Sequence, residues 1–228
     1  MIVDFHTHRS RCTGECAEII SVHPGRHFPS DWFTIGYHPW WSNKPLKEEE
    51  LWILKDYITM YPGFLAIGEC GLDKFKGPEL QIQQAVFHQQ VDLANEMGVP
   101  VIVHCVRSFH ELKQVRREKG KTPWVVHGFV RNKDLARQLL DLGLYLSIAP
   151  NEQRSPVFYD MARYLPLDRV FLETDNDPLL TIQGVYESFC KLRNVHPEEV
   201  EQQILNNLFT FFAWKSNQLR NGLSGQNS

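Results

Sequence analysis

Eight short β-branched or apolar runs, separated from the third onward by amphipathic stretches of helical length, constrain this chain more than any other feature. The runs are Ile2–Phe5, Glu18–Val22, Trp32–Gly36, Phe64–Gly68, Val99–Val103, Trp124–His127, Leu144–Ile148 and Arg169–Glu173, each of strand length. The helical stretches are Leu46–Tyr61, Pro78–Met97, Ser108–Lys119, Lys133–Leu142, Ser155–Leu165, Ile182–Asn194 and Pro197–Ser216. Pro62-Gly63 and Gly98 close the first two, and Pro197 opens the last at its first turn. Strand–helix alternation builds a parallel sheet, and eight strands predict an α/β fold closed as a (β/α)8 TIM barrel, with an open sheet as the alternative. Arg9–Ala17 and His23–Asp31 are too short and too rich in Gly, Pro and Ser for full helices, so the first two outer helices are expected to be shortened or missing.

The 228 residues suit one barrel domain, drawn here as 1–217, with 218–228 as a flexible, polar C-terminal tail. A net charge of −3 does not advertise nucleic-acid binding over the whole surface, although a local basic patch or a metal can still attract phosphate. The start lacks the basic and apolar regions of a signal peptide. No apolar run approaches the ~20 residues of a membrane helix, so a cytoplasmic location is expected. Five cysteines at irregular spacing, Cys12, Cys16, Cys70, Cys105 and Cys190, suggest reduced thiols. Cys12 and Cys16 with His6 and His8 do not match the usual paired spacing of a zinc knot.

The chemistry gathers at the ends of the strands. In Asp4-Phe5-His6-Thr7-His8, residues two apart share a strand face, so His6 and His8 project together as a chelate for a borderline cation. His-x-His alone is weak; directly after an apolar strand it is stronger. Ala66–Gly68 runs into Glu69, a carboxylate that needs a cation if it is desolvated and otherwise caps the following turn. Pro100–Val103 ends in His104 and Trp124–Val126 ends in His127. Val170–Leu172 delivers Glu173 and Asp175, expected to share a face by alternation. Glu173 then needs a partner, either below the metals or on the backbone. Asp175, nearest the mouth, is assigned the chemistry. His6, His8, Glu69, His104, His127 and Asp175 thus form a candidate metal-ligand set at the carboxyl ends of separate strands.

With these residues in place the chain resembles the TatD-like metal-dependent hydrolases, within the amidohydrolase-type barrels. The matching segments are DFHTH at Asp4–His8, GYHPW at Gly36–Trp40, AIGECGLD at Ala66–Asp73, PVIVHCVRS at Pro100–Ser108, HGF at His127–Phe129, FLETD at Phe171–Asp175, and Asn206-Asn207-Leu208-Phe209. The resemblance implies two divalent metal ions: one held by His6, His8, Glu69 and Asp175, the other by Glu69, His104 and His127, with Glu69 shared. It implies that His38 and Arg107 face the substrate, and that the activity is hydrolysis, as in family DNases that cut phosphodiester bonds. A local salt bridge is the alternative for Arg107. Trp40 and Trp41 either stack a base or plug a flank of the barrel. The short segment from His8 to Gly36, Gly128 in place of a common Cys, and Asn176-Asp177-Pro178 after Asp175 depart from the family pattern.

The expected function is therefore metal-assisted hydrolysis, with Asp175 and Glu69 as catalytic carboxylates and a nucleic-acid or phosphoester substrate. An amidase or lactonase acting on a small molecule, or a non-catalytic metal-stabilised binding protein, is the alternative. Four histidines favour Zn, Mn or Fe over Mg alone. No membrane partner is expected, and monomer and homodimer are both left open.

Overall fold

The computed structural model describes residues 1–12, 16–25 and 32–224. Eight strands form in chain order: β1 (Ile2–Thr7), β2 (Cys16–Val22), β3 (Phe33–Ile35), β4 (Phe64–Asp73), β5 (Val101–Val106), β6 (Trp124–Val126), β7 (Tyr145–Ile148) and β8 (Val170–Leu172). Their order in the sheet follows the sequence from β1 to β8. A parallel bridge between Thr7 and Asp175 brings the chain just after β8 to β1, which an open sheet of this order does not allow. The fold is that of a (β/α)8 barrel. The helices are α1 (Glu48–Met60), α2 (Leu80–Met97), α3 (Phe109–Lys119), α4 (Lys133–Leu140), α5 (Pro156–Tyr164), α6 (Ile182–Arg193), α7 (Pro197–Phe211) and α8 (Ser216–Ser224). Among the described residues no helix lies between β1 and β3. Residues 13–15 and 26–31 of the connections there fall outside the described residues.

The chain divides into two compact units. The first joins Met1–Ile20 to Gly128–Ser228. Its core is aromatic. Phe5 stacks on Phe171 with ring centroids 3.9 Å apart, and Phe211 and Phe212 close around the same ring at 5.8 and 6.0 Å. Several buried polar groups are paired with backbone or side chains. Tyr186 Oη accepts from Val3 N (3.2 Å) and lies 3.3 Å from Val3 O. The Asp4 carboxylate accepts from the backbone N–H and hydroxyl of Thr174. Buried Asn207 donates to the carbonyls of Leu167 and Val170, fixing the entry to β8. One expectation changes here. The segment from 218 to Ser224 is not a loose tail but part of α8, because Leu219 and Leu223, one helical turn apart, are buried. Cys12 and Cys16 lie side by side, with Cα atoms 5.9 Å apart, while Cys70 and Cys190 are buried thiols, as expected.

The second unit, Ser21–His127, contains β3 to β6 with α1 to α3. β4 is buried along its whole length, as a strand covered on both faces should be. Its glycines let the backbone of β5 come close: a Cβ on Gly71 (φ +144°) would collide with the His104 carbonyl, and one on Gly68 (φ +144°) would lie 2.5 Å from the Ile102 carbonyl. α2 faces this sheet with two buried glutamines. Gln90 Oε1 accepts from Tyr37 N (2.8 Å) and its amide donates back to Tyr37 O (3.0 Å). Gln83 Oε1 accepts from Asp73 N (2.7 Å), and its Nε2 donates to the carbonyls of Asp73, Lys76 and Pro78. These amides satisfy backbone groups at the ends of β3 and β4 that have left the strand ladder.

Candidate metal centre

Within the second unit, side chains from β5, from just after β6 and from the segment after β3 converge on one oxygen of Glu69, midway along β4. Glu69 Oε1 lies 2.7 Å from His104 Nδ1, 2.7 Å from His127 Nε2 and 3.0 Å from His38 Nε2. Glu69 is 5% exposed. Burial pushes its carboxyl up, but the charge of His127 and the contacts to His104, His127 and His38 outweigh this and hold it well below the usual carboxylate range. Burial pushes the His38 imidazole down, beyond what Glu69 restores, so the neutral ligand form is favoured there. The ligand atoms of His38, Glu69 and His104 lie within 4.8 Å of one another.

Asp73, four residues past Glu69, supports this cluster. Its Oδ2 lies 3.2 Å from His104 Nε2 and accepts from the Trp40 indole N–H (2.7 Å), while its Oδ1 accepts from Phe75 N (2.7 Å) and Lys76 N (3.2 Å). Burial pushes the Asp73 carboxyl up, yet the hydrogen bonds from Phe75, Trp40 and His104 bring it below its ordinary value. If His104 donates from Nε2 to Asp73, its Nδ1 presents a lone pair to Glu69 Oε1 at 2.7 Å. Two such atoms at that distance need a proton or a cation to hold them together.

Within the first unit, β1 and the turn after β8 supply the other set. His8 Nε2 is 3.3 Å and His6 Nε2 4.0 Å from Asp175 Oδ1, and the ligand atoms of the three lie within 4.8 Å of one another. The Asp175 N–H donates to His6 O (2.9 Å), and the Thr7 hydroxyl donates to Asp175 O (3.3 Å). Alternation does not carry Glu173 and Asp175 to the same face: β8 ends at Leu172, and Asp175 adopts a left-handed φ of +52°. Asp175 is 42% exposed, whereas Glu173 is buried and accepts from Gly128 N at 2.6 Å, the backbone partner expected for it.

The remaining sequence candidates divide. His38, expected to face substrate, is buried against Glu69. Trp40 is half-buried and bonded to Asp73, while Trp41 is exposed with its ring 4.9 Å from His38. Arg107 is exposed at φ +56°, with its guanidinium 5.6 Å from the Phe75 ring centroid and no salt bridge among the described residues. Sequence reasoning missed Asp73 as a site residue. Its place four residues beyond a ligand, two same-face repeats along the strand, in Glu69-Cys70-Gly71-Leu72-Asp73, was the available signal.

Residues 20–213 match the model of the TatD related DNase family. The chain belongs to this family. Among curated relatives, the Escherichia coli (strain K12) protein named "Uncharacterized metal-dependent hydrolase YcfH" is 31% identical over 206 residues, covering 82% of this chain and 76% of that one. The Enterobacter lignolyticus "3'-5' ssDNA/RNA exonuclease TatD" is 37% identical over 162 residues, covering 65% of this chain and 59% of that one. Among solved structures, the E. coli TatD homologue YjjV has a TM-score of 0.75 at 25% identity, covering 93% of this chain and 98% of that one. This TatD-family chain is thus a metal-dependent hydrolase. Its donors fit that class. Imidazole nitrogens and carboxylate oxygens suit divalent zinc, manganese or iron, and each unit gathers three or more of them at strand ends.

Proposed function

We propose that this TatD-family hydrolase cleaves phosphodiester bonds in nucleic-acid strands, working from strand ends, with two divalent ions. His6, His8 and Asp175 would hold one, and Glu69, His104 and His127 would hold the other. The observation that carries this reading is the pair of histidine–carboxylate clusters, in one of which the acid is still accessible: Asp175 is 42% exposed beside two imidazoles. Divalent ions at such sites make a coordinated water acidic and polarise a phosphoryl oxygen.

The chain's own groups do the rest. Asp175 Oδ1 takes the proton of the attacking water, its direction set by the Asp175 N–H bond to His6 O. Asp73 fixes the ring of His104 from behind, so that Nδ1 faces Glu69. Buried His38 presses on the same carboxylate and helps keep it ionised. Arg107, with no salt bridge among the described residues, offers its guanidinium to a phosphate oxygen. The name of the Enterobacter relative, which describes single-stranded DNA and RNA as its substrates, supports the same substrate class.

The test is hydrolysis of an end-labelled single-stranded oligonucleotide by the metal-loaded protein, alongside small esters, amides and lactones. Shortening of the oligonucleotide, abolished by chelator and by Asp175→Asn with the fold intact, is the expected result. Turnover confined to the small substrates, with oligonucleotide binding indifferent to salt, would replace this reading with a small-molecule amidase or lactonase.

A further inference from the structure

Phe75 is a large apolar side chain that the core does not use. It is 70% exposed. Its backbone, by contrast, is clamped. Phe75 N and Lys76 N donate to Asp73 Oδ1, Lys74 N donates to Val106 O, and Gln83 holds the Lys76 and Pro78 carbonyls. Gly77 sits so close to the chain at Pro39 and Trp40 that a Cβ there would lie 2.5 Å from the Pro39 carbonyl. A ring displayed to solvent from a fixed loop loses little entropy on binding a flat partner.

The surroundings select the partner. The Arg107 guanidinium lies 5.6 Å from the Phe75 centroid, and Lys76 Nζ lies 4.3 Å from the Trp40 ring. Lys74 is paired with Glu111 at 2.8 Å, whereas Lys76 and Arg107 have no salt bridge among the described residues. An apolar ring with one cation 5.6 Å away and a second on the next residue, neither in a salt bridge among the described residues, complements a ligand that is flat and apolar in one part and anionic in the next. That is the description of a nucleotide in a single strand, and not of an apolar protein face. The same Asp73 carboxylate that holds Phe75 N also holds His104, so the Phe75 backbone is tied to a candidate metal-ligand histidine.

We propose that Phe75 is the stacking platform for one unpaired nucleobase of the bound strand, with Arg107 and Lys76 engaging the phosphates on either side of it. The proposal rests on the phosphodiesterase reading above and adds to it a residue that sets the requirement for an unpaired base.

The test uses the metal-loaded full chain and a set of single-stranded oligonucleotides, each with an abasic residue at one terminal position in turn. Non-cleavable phosphorothioate versions serve for binding. For the wild type, one position should be sensitive, its abasic form losing roughly 5- to 100-fold in affinity and in kcat/KM. Phe75→Ala should lose a similar factor on the intact strand, no longer distinguish the abasic strand at that position, and keep its metal content. Phe75→Trp should restore the discrimination. An undiminished penalty at every position in Phe75→Ala would overturn the platform, and so would a wild type that binds no oligonucleotide. If the wild type binds and discriminates as described but cuts nothing, the platform stands and the phosphodiesterase reading falls.

Discussion

Three imidazole nitrogens around Glu69 Oε1 are more than one carboxylate oxygen accommodates as ordinary hydrogen bonds, since it offers two lone pairs. Sequence patterning reached His104, His127 and Glu69 because each directly ends an apolar run. His38 came only from the family resemblance, as a residue facing substrate; its contact with Glu69 is not something residue patterning could reveal. Asp73 was missed for a related reason: an acid in Gly-Leu-Asp before a Lys looks like a solvated turn residue. Two predictions belong at this scale. Asp175→Asn should retain the fold and the thermal transition, yet lose nearly all turnover, by about 100-fold or more as for removal of a general base, in single-turnover assays at fixed metal. Asp73→Asn should weaken metal binding by about 10- to 100-fold, read by competition with a coloured chelator, while leaving the circular dichroism spectrum unchanged. Wild-type metal affinity in that variant would remove Asp73 from the site.

At the scale of elements, all eight strands were legible, because short β-branched and apolar runs alternate with longer amphipathic stretches over most of the chain. The helices came through with boundaries shifted by a few residues. Two things were hidden. Gln83 and Gln90 read as the polar face of α2, yet both are buried and serve the backbones of Asp73 and Tyr37; a glutamine's role depends on what lies across from it, which periodicity does not encode. The Leu219–Leu223 pair in α8 was masked by its Asn, Gly and Ser neighbours. Substituting Gln90 by Leu strands the Tyr37 N–H and carbonyl and should cost about 2 kcal/mol or more in chemical denaturation. Gly71→Ala drives a methyl into the His104 carbonyl and strains a φ of +144°. A loss of about 2–4 kcal/mol is expected, with metal binding falling alongside stability. A stable, metal-binding Gly71→Ala protein would show that β4 and β5 need not approach so closely.

At the scale of the whole molecule, composition said little about the site: a net charge of −3 conceals Lys76 and Arg107, whose cations are uncompensated locally. Truncation after residue 217 removes two buried leucines from the first unit and should cost on the order of 3–5 kcal/mol, seen as a lowered melting temperature. An unchanged transition would mean that α8 contributes no core. That first unit is assembled from both ends of the chain, with Ser21–His127 inserted between its parts. On a ribosome, Phe5 therefore emerges long before Phe171 and Phe211, the rings it packs against, exist. At usual elongation rates the wait is on the order of 10 s. For that interval the nascent Ile2–Phe5 segment is an apolar strand without its packing partners, the kind of exposed surface that chaperones exist to cover.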